Sequence, residues 1–173
     1  MRKQKGFSLI ELLIVVAIIL IIAAIAIPNL LRAKIAANES SAVSSIRLVN
    51  TAQVSYQSNY QANGYSLTML ALGPPAATGC SGVLPTAASA CLIDWVLANA
   101  TAVATPKSGY YFAMGAFPAV PYTSFVVGGA AAAQNTTGVR GFCSNEEGVI
   151  RYVASAAAPV ATEAACVAYT PLQ

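Results

Sequence analysis

The chain has 173 residues, 57% of them hydrophobic and 9% charged. That length suits one folded domain rather than two, the apolar content excludes a disordered chain, and the charge is far below the share of about a quarter usual in soluble domains. No His is present, which removes imidazole as base or ligand, and the formal charge of +3 comes from Arg2, Lys3 and Lys5; the remaining six Lys/Arg match six Asp/Glu.

Without those three residues the chain has no excess positive charge, so nucleic-acid binding is not expected. The basic cluster is followed by Leu12 to Ile27, LLIVVAIILIIAAIAI, which contains no polar side chain. With Phe7 to Ile10 it gives about 20 residues, enough to span a bilayer at about 1.5 Å per residue. The basic start is expected to stay in the cytoplasm, with the rest outside. A secretory signal peptide also begins basic and apolar. Here the apolar run is long, and Pro28, Asn29 and Leu30 follow it instead of a small-x-small cleavage site. Glu11, near the start of the run, would cost about 2–4 kcal/mol in lipid, so it demands a purpose or a place near the interface.

Lys5 to Pro28, KGFSLIELLIVVAIILIIAAIAIP, resembles the leader and first helix of the type IV pilin family, which includes pilus subunits and the pseudopilins of type II secretion. The resemblance is specific over these residues and fades to general architecture beyond the first helix. It implies cleavage after Gly6 by a membrane-embedded prepilin peptidase and methylation of the new amine on Phe7. Glu11 would be the assembly glutamate that pairs with the N-terminal amine of a neighbouring subunit. The implied partners are further copies in a helical filament, the inner membrane before assembly, a platform protein and an ATPase. The chain would sit as a single-pass protein with a cytoplasmic N-terminus, then move into an extracellular pilus. A pseudopilin would instead form a short periplasmic pseudopilus.

An isolated carboxylate or ammonium is costly in a greasy core. Paired, they are tolerable, and such a pair selects axial register more than it adds stability. Pro28 deletes a helical hydrogen bond. Apolar periodicity resumes beyond it, so a kink or local opening is expected there.

From Leu30 to Gln61 the pattern is amphipathic. Ile35, Ala42, Ile46, Val49, Gln53, Tyr56 and Tyr60 fall on one helical face, with Glu39, Ser40, Ser44, Arg47 and Ser58 off it. Gly64 supplies a stop. The domain plan is a leader over 1–6, a helix over 7–62 with a transmembrane or filament-core part over about 7–28, and a head over 63–173.

Beyond Gly64, Gly73-Pro-Pro and Ala87-Ala-Ser-Ala read as loops. Cys91 to Ala98 is expected to form a short helix carrying Trp95, with Asp94 as a surface charge or cap. Gly109–Met114, Tyr122–Val127 and Gly148–Val153 read as strands, and Val139–Cys143 as part of one. Ala130–Ala133 and Ala154–Ala158 read as exposed loops. The fold class is therefore α+β, and the resemblance implies the type IV pilin fold, a long helix on a small antiparallel head with a disulfide-bonded C-terminal region.

Four cysteines behind an export-type start read as two disulfides, with three pairings open. The sequence-local one, Cys80–Cys91 and Cys143–Cys166, is favoured over reduced thiols. Zinc is disfavoured, because there is neither a C-x-x-C pair nor a His.

No catalytic constellation stands out, and neither a metal nor a cofactor is expected. Adjacent Glu146 and Glu147 read as a solvated turn, and Gly128-Gly129 lacks the phosphate-loop context. Sequons beginning at Asn38, Asn99 and Asn135 are weak signals. The best reading is a structural pilus subunit, not an enzyme. The absence of any Asp after Asp94 and the Ser66 that follows Tyr65 depart from the major secretion pseudopilins. A minor tip subunit that binds a ligand or DNA would need an exposed patch, for which Lys107 with Tyr110 and Tyr111 is the one candidate.

Overall fold

The computed structural model describes residues 7–172, so Gly6 lies outside the described residues. They form two units divided after Lys34. The first contains the start of α1 (Leu9–Asn59), a helix of 51 residues. Its Ile and Val are weak helix formers in water, and a helix that keeps every backbone polar group satisfied internally is what a hydrocarbon environment demands. α1 continues on both sides of Pro28.

In the second unit, α1 from Ile35 onward buries one stripe, which includes Ala42, Ile46, Val49, Gln53 and Tyr56. The stripe also includes Glu39, which the sequence pattern had put off the face. The correction follows from spacing: residues 35, 39, 42, 46, 49, 53 and 56 alternate four and three apart, and only the charge had argued against position 39. The helix ends where Asn63 and Gly64 donate to the Tyr60 carbonyl, with Gly64 at φ +75°. A side chain on Gly64 would strike the Tyr122 backbone, which exchanges hydrogen bonds with Asn63 and Tyr65.

The short helices α2 (Met69–Leu72) and α3 (Trp95–Asn99) follow. The sheet comprises β1 (Tyr110–Phe117), β2 (Ser124–Ala131), β3 (Gly141–Asn145) and β4 (Arg151–Val153), then α4 (Glu163–Val167) and β5 (Thr170–Pro171). Its five strands lie in sequence order and pair antiparallel. Two expectations are corrected here. β2 begins two residues later than Tyr122, and it runs through Ala130 and Ala131, which are buried strand residues and not an exposed loop. β4 excludes Gly148–Ile150.

Register gives each face its role. Phe112, Phe125, Val127 and Phe142 share the face packed with Ile46 and Val49. Burying each of these aromatic side chains is worth about 1.5–3 kcal/mol. Polar contacts fix the helix along this face. Gln53 donates to the Ser66 carbonyl and accepts from its N–H at 2.8 and 2.7 Å. Asn50 donates to Ser144 Oγ at 2.8 Å.

Gly115, Gly128 and Gly141 share the other face. There the segment 154–162 crosses the sheet so closely that any Cβ on these glycines would meet Ala161, Val160 or Ala156. Cys143 of β3 is bonded to Cys166 of α4, and Cys80 to Cys91 in the connection before α3. The strap thus lies on a floor of backbone, and its Val160 packs with Val126, Cys143, Cys166 and Tyr169.

Glu39 anchors the β2–β3 connection. One oxygen accepts the N–H groups of Val139 and Arg140 at 3.0 and 3.1 Å. The other accepts Arg140 Nε at 2.8 Å and pairs with Nη2 at 2.7 Å. Burial raises the Glu39 pKa, but the two backbone donors and the guanidinium outweigh it, so the net shift is downward. A carboxyl held below its unfolded value stabilises the fold at neutral pH, and that contribution fades as the pH falls through the carboxylate range.

In detergent-solubilised protein, Glu39→Ala is expected to destabilise the head by about 3 kcal/mol at pH 7. The gap to the unsubstituted chain should narrow below about pH 4; thermal unfolding at a series of pH values checks both. Gly128→Ala is expected to displace the strap and cost about 1–3 kcal/mol, read as a lower Tm and faster proteolysis within residues 154–162.

Candidate assembly surface

Among the described residues, the first unit presents an apolar surface that stands exposed along its length. From Phe7 to Leu31 every large apolar side chain is at least 46% exposed. A soluble monomer rarely exposes a continuous apolar patch of more than a few hundred Å², so this segment requires lipid or other protein around it.

Its first turn is built from Ser8 and Glu11. Ser8 precedes α1, and its backbone N–H donates to Glu11 Oε2 at 2.9 Å. This is one half of a Ser-x-x-Glu capping box, in which the third helical residue satisfies a donor the helix leaves unpaired. A carboxylate there also suits the positive end of the helix dipole. The Ser8-Leu9-Ile10-Glu11 spacing carried this signal, though the sequence reading gave Glu11 an assembly role alone. Phe7 is 82% exposed, and Glu11 follows four residues on, also exposed. Pro28 lies well inside α1, exposed in the apolar stretch.

The head uses its charges locally. Asp94 caps α3 by accepting Leu97 N–H at 2.9 Å and pairs with Lys107 at 3.3 Å. Burial raises its pKa, yet the Leu97 donor and the Lys107 charge leave it lowered overall. Glu147 pairs with Arg151 at 3.2 Å, and Glu146 accepts Phe125 N–H at 3.4 Å. Arg140, besides pairing with Glu39, lies over the rings of Phe142 and Tyr152, at 5.4 and 5.6 Å.

The Lys107, Tyr110 and Tyr111 trio is not a patch. Lys107 is engaged by Asp94. Tyr110 is fully buried and donates to the Arg140 carbonyl at 2.8 Å. Burial and then the Glu39 charge raise its pKa. Tyr111 points the other way and donates to the Ala157 carbonyl at 3.2 Å.

Residues 1–27 match the family model of the prokaryotic N-terminal methylation motif. The chain is 40% identical over 116 residues to the type IV wide pilus major component PilA4 of Thermus thermophilus, covering 64% of this chain and 88% of that protein. It is 48% identical over 54 residues to the type IV major pilin protein PilA of Myxococcus xanthus, covering 31% of this chain and 24% of that one. No solved structure matches.

Glu11 makes no described contact beyond Ser8. Glu11→Ala is therefore expected to leave the thermal unfolding of the head within about 0.5 kcal/mol of the unsubstituted chain. A larger change would show that this carboxylate also supports the head.

Proposed function

The chain belongs to the type IV pilin family, and we propose that it polymerises through α1 into an extracellular type IV pilus as a structural subunit rather than an enzyme. The observation that carries this reading is the apolar start of α1, which stands exposed among the described residues, with one carboxylate at its first turn.

In this reading a prepilin peptidase cuts between Gly6 and Phe7, and the exposed amine of Phe7 is methylated. The subunit waits in the inner membrane with its N-terminus cytoplasmic, as the basic cluster Arg2, Lys3 and Lys5 favours. A platform protein and an ATPase then feed it into the filament. There the Glu11 carboxylate of one copy meets the Phe7 amine of another. Each charge alone would be costly in the apolar core, so only the correct axial register is tolerated. Pro28, which removes one hydrogen bond from α1, is the point where the helix bends or opens on packing. The Cys143–Cys166 bond closes a segment of 23 residues, worth about 3 kcal/mol in the chain-entropy model. That reinforcement suits a subunit that works outside the cell.

Intact mass of the protein in filaments sheared from the cell surface tests this reading. The expected species begins at Phe7, carries one added methyl group and lacks the hydrogens of four thiols. Abundant recovery supports a main subunit, and trace recovery a minor or tip subunit. Processed protein confined to the cell envelope would overturn the long-fibre reading in favour of a secretion pseudopilus. An uncleaved N-terminus would overturn processing at Gly6.

A further inference from the structure

The charges of this chain sort into two sets. Glu39 with Arg140, Asp94 with Lys107 and Glu147 with Arg151 are paired internally. Among the described residues, Arg32, Lys34 and Arg47 form no ion pair, and neither do Glu11, Glu146 and Glu163. All six are exposed. The unpaired cations among the described residues all lie on α1. Apart from Glu11, the unpaired acids flank a single disulfide: Glu146 comes three residues after Cys143, and Glu163 three residues before Cys166. The bond brings the two segments together, with Cα atoms 5.8 Å apart. Both acids therefore lie within three residues of the same disulfide, and Glu147, next to Glu146, is paired with Arg151.

The cationic side includes a shaped receptor. Arg47 lines an open groove of about 270 Å³ between α1 and the sheet. Its helical wall has the short side chains Ala36, Ser40 and Ser44 together with Glu39 and Val43, and Arg140, paired with Glu39, stands opposite with Phe142. Short residues four apart along the helix leave room for an incoming side chain. The Arg140 side chain is 41% exposed but its charge is met by Glu39, so Arg47 is the groove's unpaired cation. No acid of the same chain pairs with Arg47 among the described residues.

A groove whose unpaired cation is Arg47, and two acids, Glu146 and Glu163, that form no ion pair among the described residues, are complementary between copies of a chain whose charges balance beyond residue 6. We infer that, in the filament, the Arg47 groove of one copy receives Glu146 and Glu163 of another. This pairing rests on the filament reading and adds a specific head contact to it. Its role is register and recognition. Exposed ion pairs contribute little net stability, whereas like charges brought face to face are strongly disfavoured.

Charge reversal and carbodiimide coupling test the contact. Arg47→Glu is expected to lower the yield of sheared filaments by at least about tenfold, because it sets like charges against each other. A second reversal, Glu146→Arg or Glu163→Arg, should recover the yield. Thermal unfolding unchanged from the unsubstituted chain shows that the variants remain folded. Independently, Arg47→Lys places an amine in the groove. Carbodiimide treatment of intact cells should then give a covalent dimer whose cross-linked peptide joins residue 47 to Glu146 or Glu163. The dimer should vanish when both glutamates are changed to Gln. Unaltered yield in Arg47→Glu, or loss that neither second reversal repairs together with no such cross-link, would overturn the pairing while leaving the filament reading intact. If the unsubstituted protein is never sheared from the surface, the filament reading fails. Coupling in the envelope still decides the contact: the joined peptide supports it, and its absence overturns it.

Discussion

Glu39 offers two oxygens to four donors, and the placement of the sheet on α1 depends on it. Apolar contacts between Ile46, Val49 and the sheet aromatics are non-directional. They would tolerate a small slide of the helix. The Glu39 carboxylate would not, because a slide leaves a buried charge and two backbone N–H groups without partners. Gln53 imposes the same demand further along the helix, through its paired bonds to Ser66. Between these two polar anchors, position is set by directional bonding and strength by apolar burial.

The same helix serves two environments. Its first stretch is apolar on all sides and, among the described residues, exposed. From Ile35 onward it is apolar on one stripe only, and that stripe is covered. The division follows directly from composition. A helix apolar all round needs lipid or protein on every side, whereas a striped one needs a single partner surface. The one carboxylate in the apolar stretch sits where its own helix can use it, at the first turn, so its charge is partly accommodated before any neighbour arrives.

The sequence disclosed the long helix and the aromatic strands because each has a strong periodic signal. It disclosed less where small residues take over. Gly128-Gly129-Ala130-Ala131 has no β-branched or aromatic side chain, so the expected strand stops at Val127 and Ala130–Ala133 reads as loop. In the structure it is central strand, because Gly129 must admit Phe112 and Ile46 on one face and Gly128 the strap on the other. Propensity measures how a side chain fills a pleated surface, and here the surface is filled by neighbours. Glu39 was misread for a different reason. Its spacing placed it on the buried stripe, but its partner Arg140 is about a hundred residues away, and no local pattern announces it. The helices α2 and α4 and strand β5 are too short to give a period at all. The Ser8–Glu11 cap is legible in the sequence as a Ser-x-x-Glu spacing ahead of an apolar run.

The strap across the sheet has a consequence for how this surface can change over generations. Its hold on the fold comes from its own backbone at Val160 and Ala161, from Ala156, and from the cysteine bond at its end. Ala154, Ala157 and Ala158 point outward, exposed, and their side chains support nothing beneath them. Selection can therefore rewrite those positions without disturbing the core. Whatever binds the outside of the molecule meets a chemically adjustable face on an invariant frame.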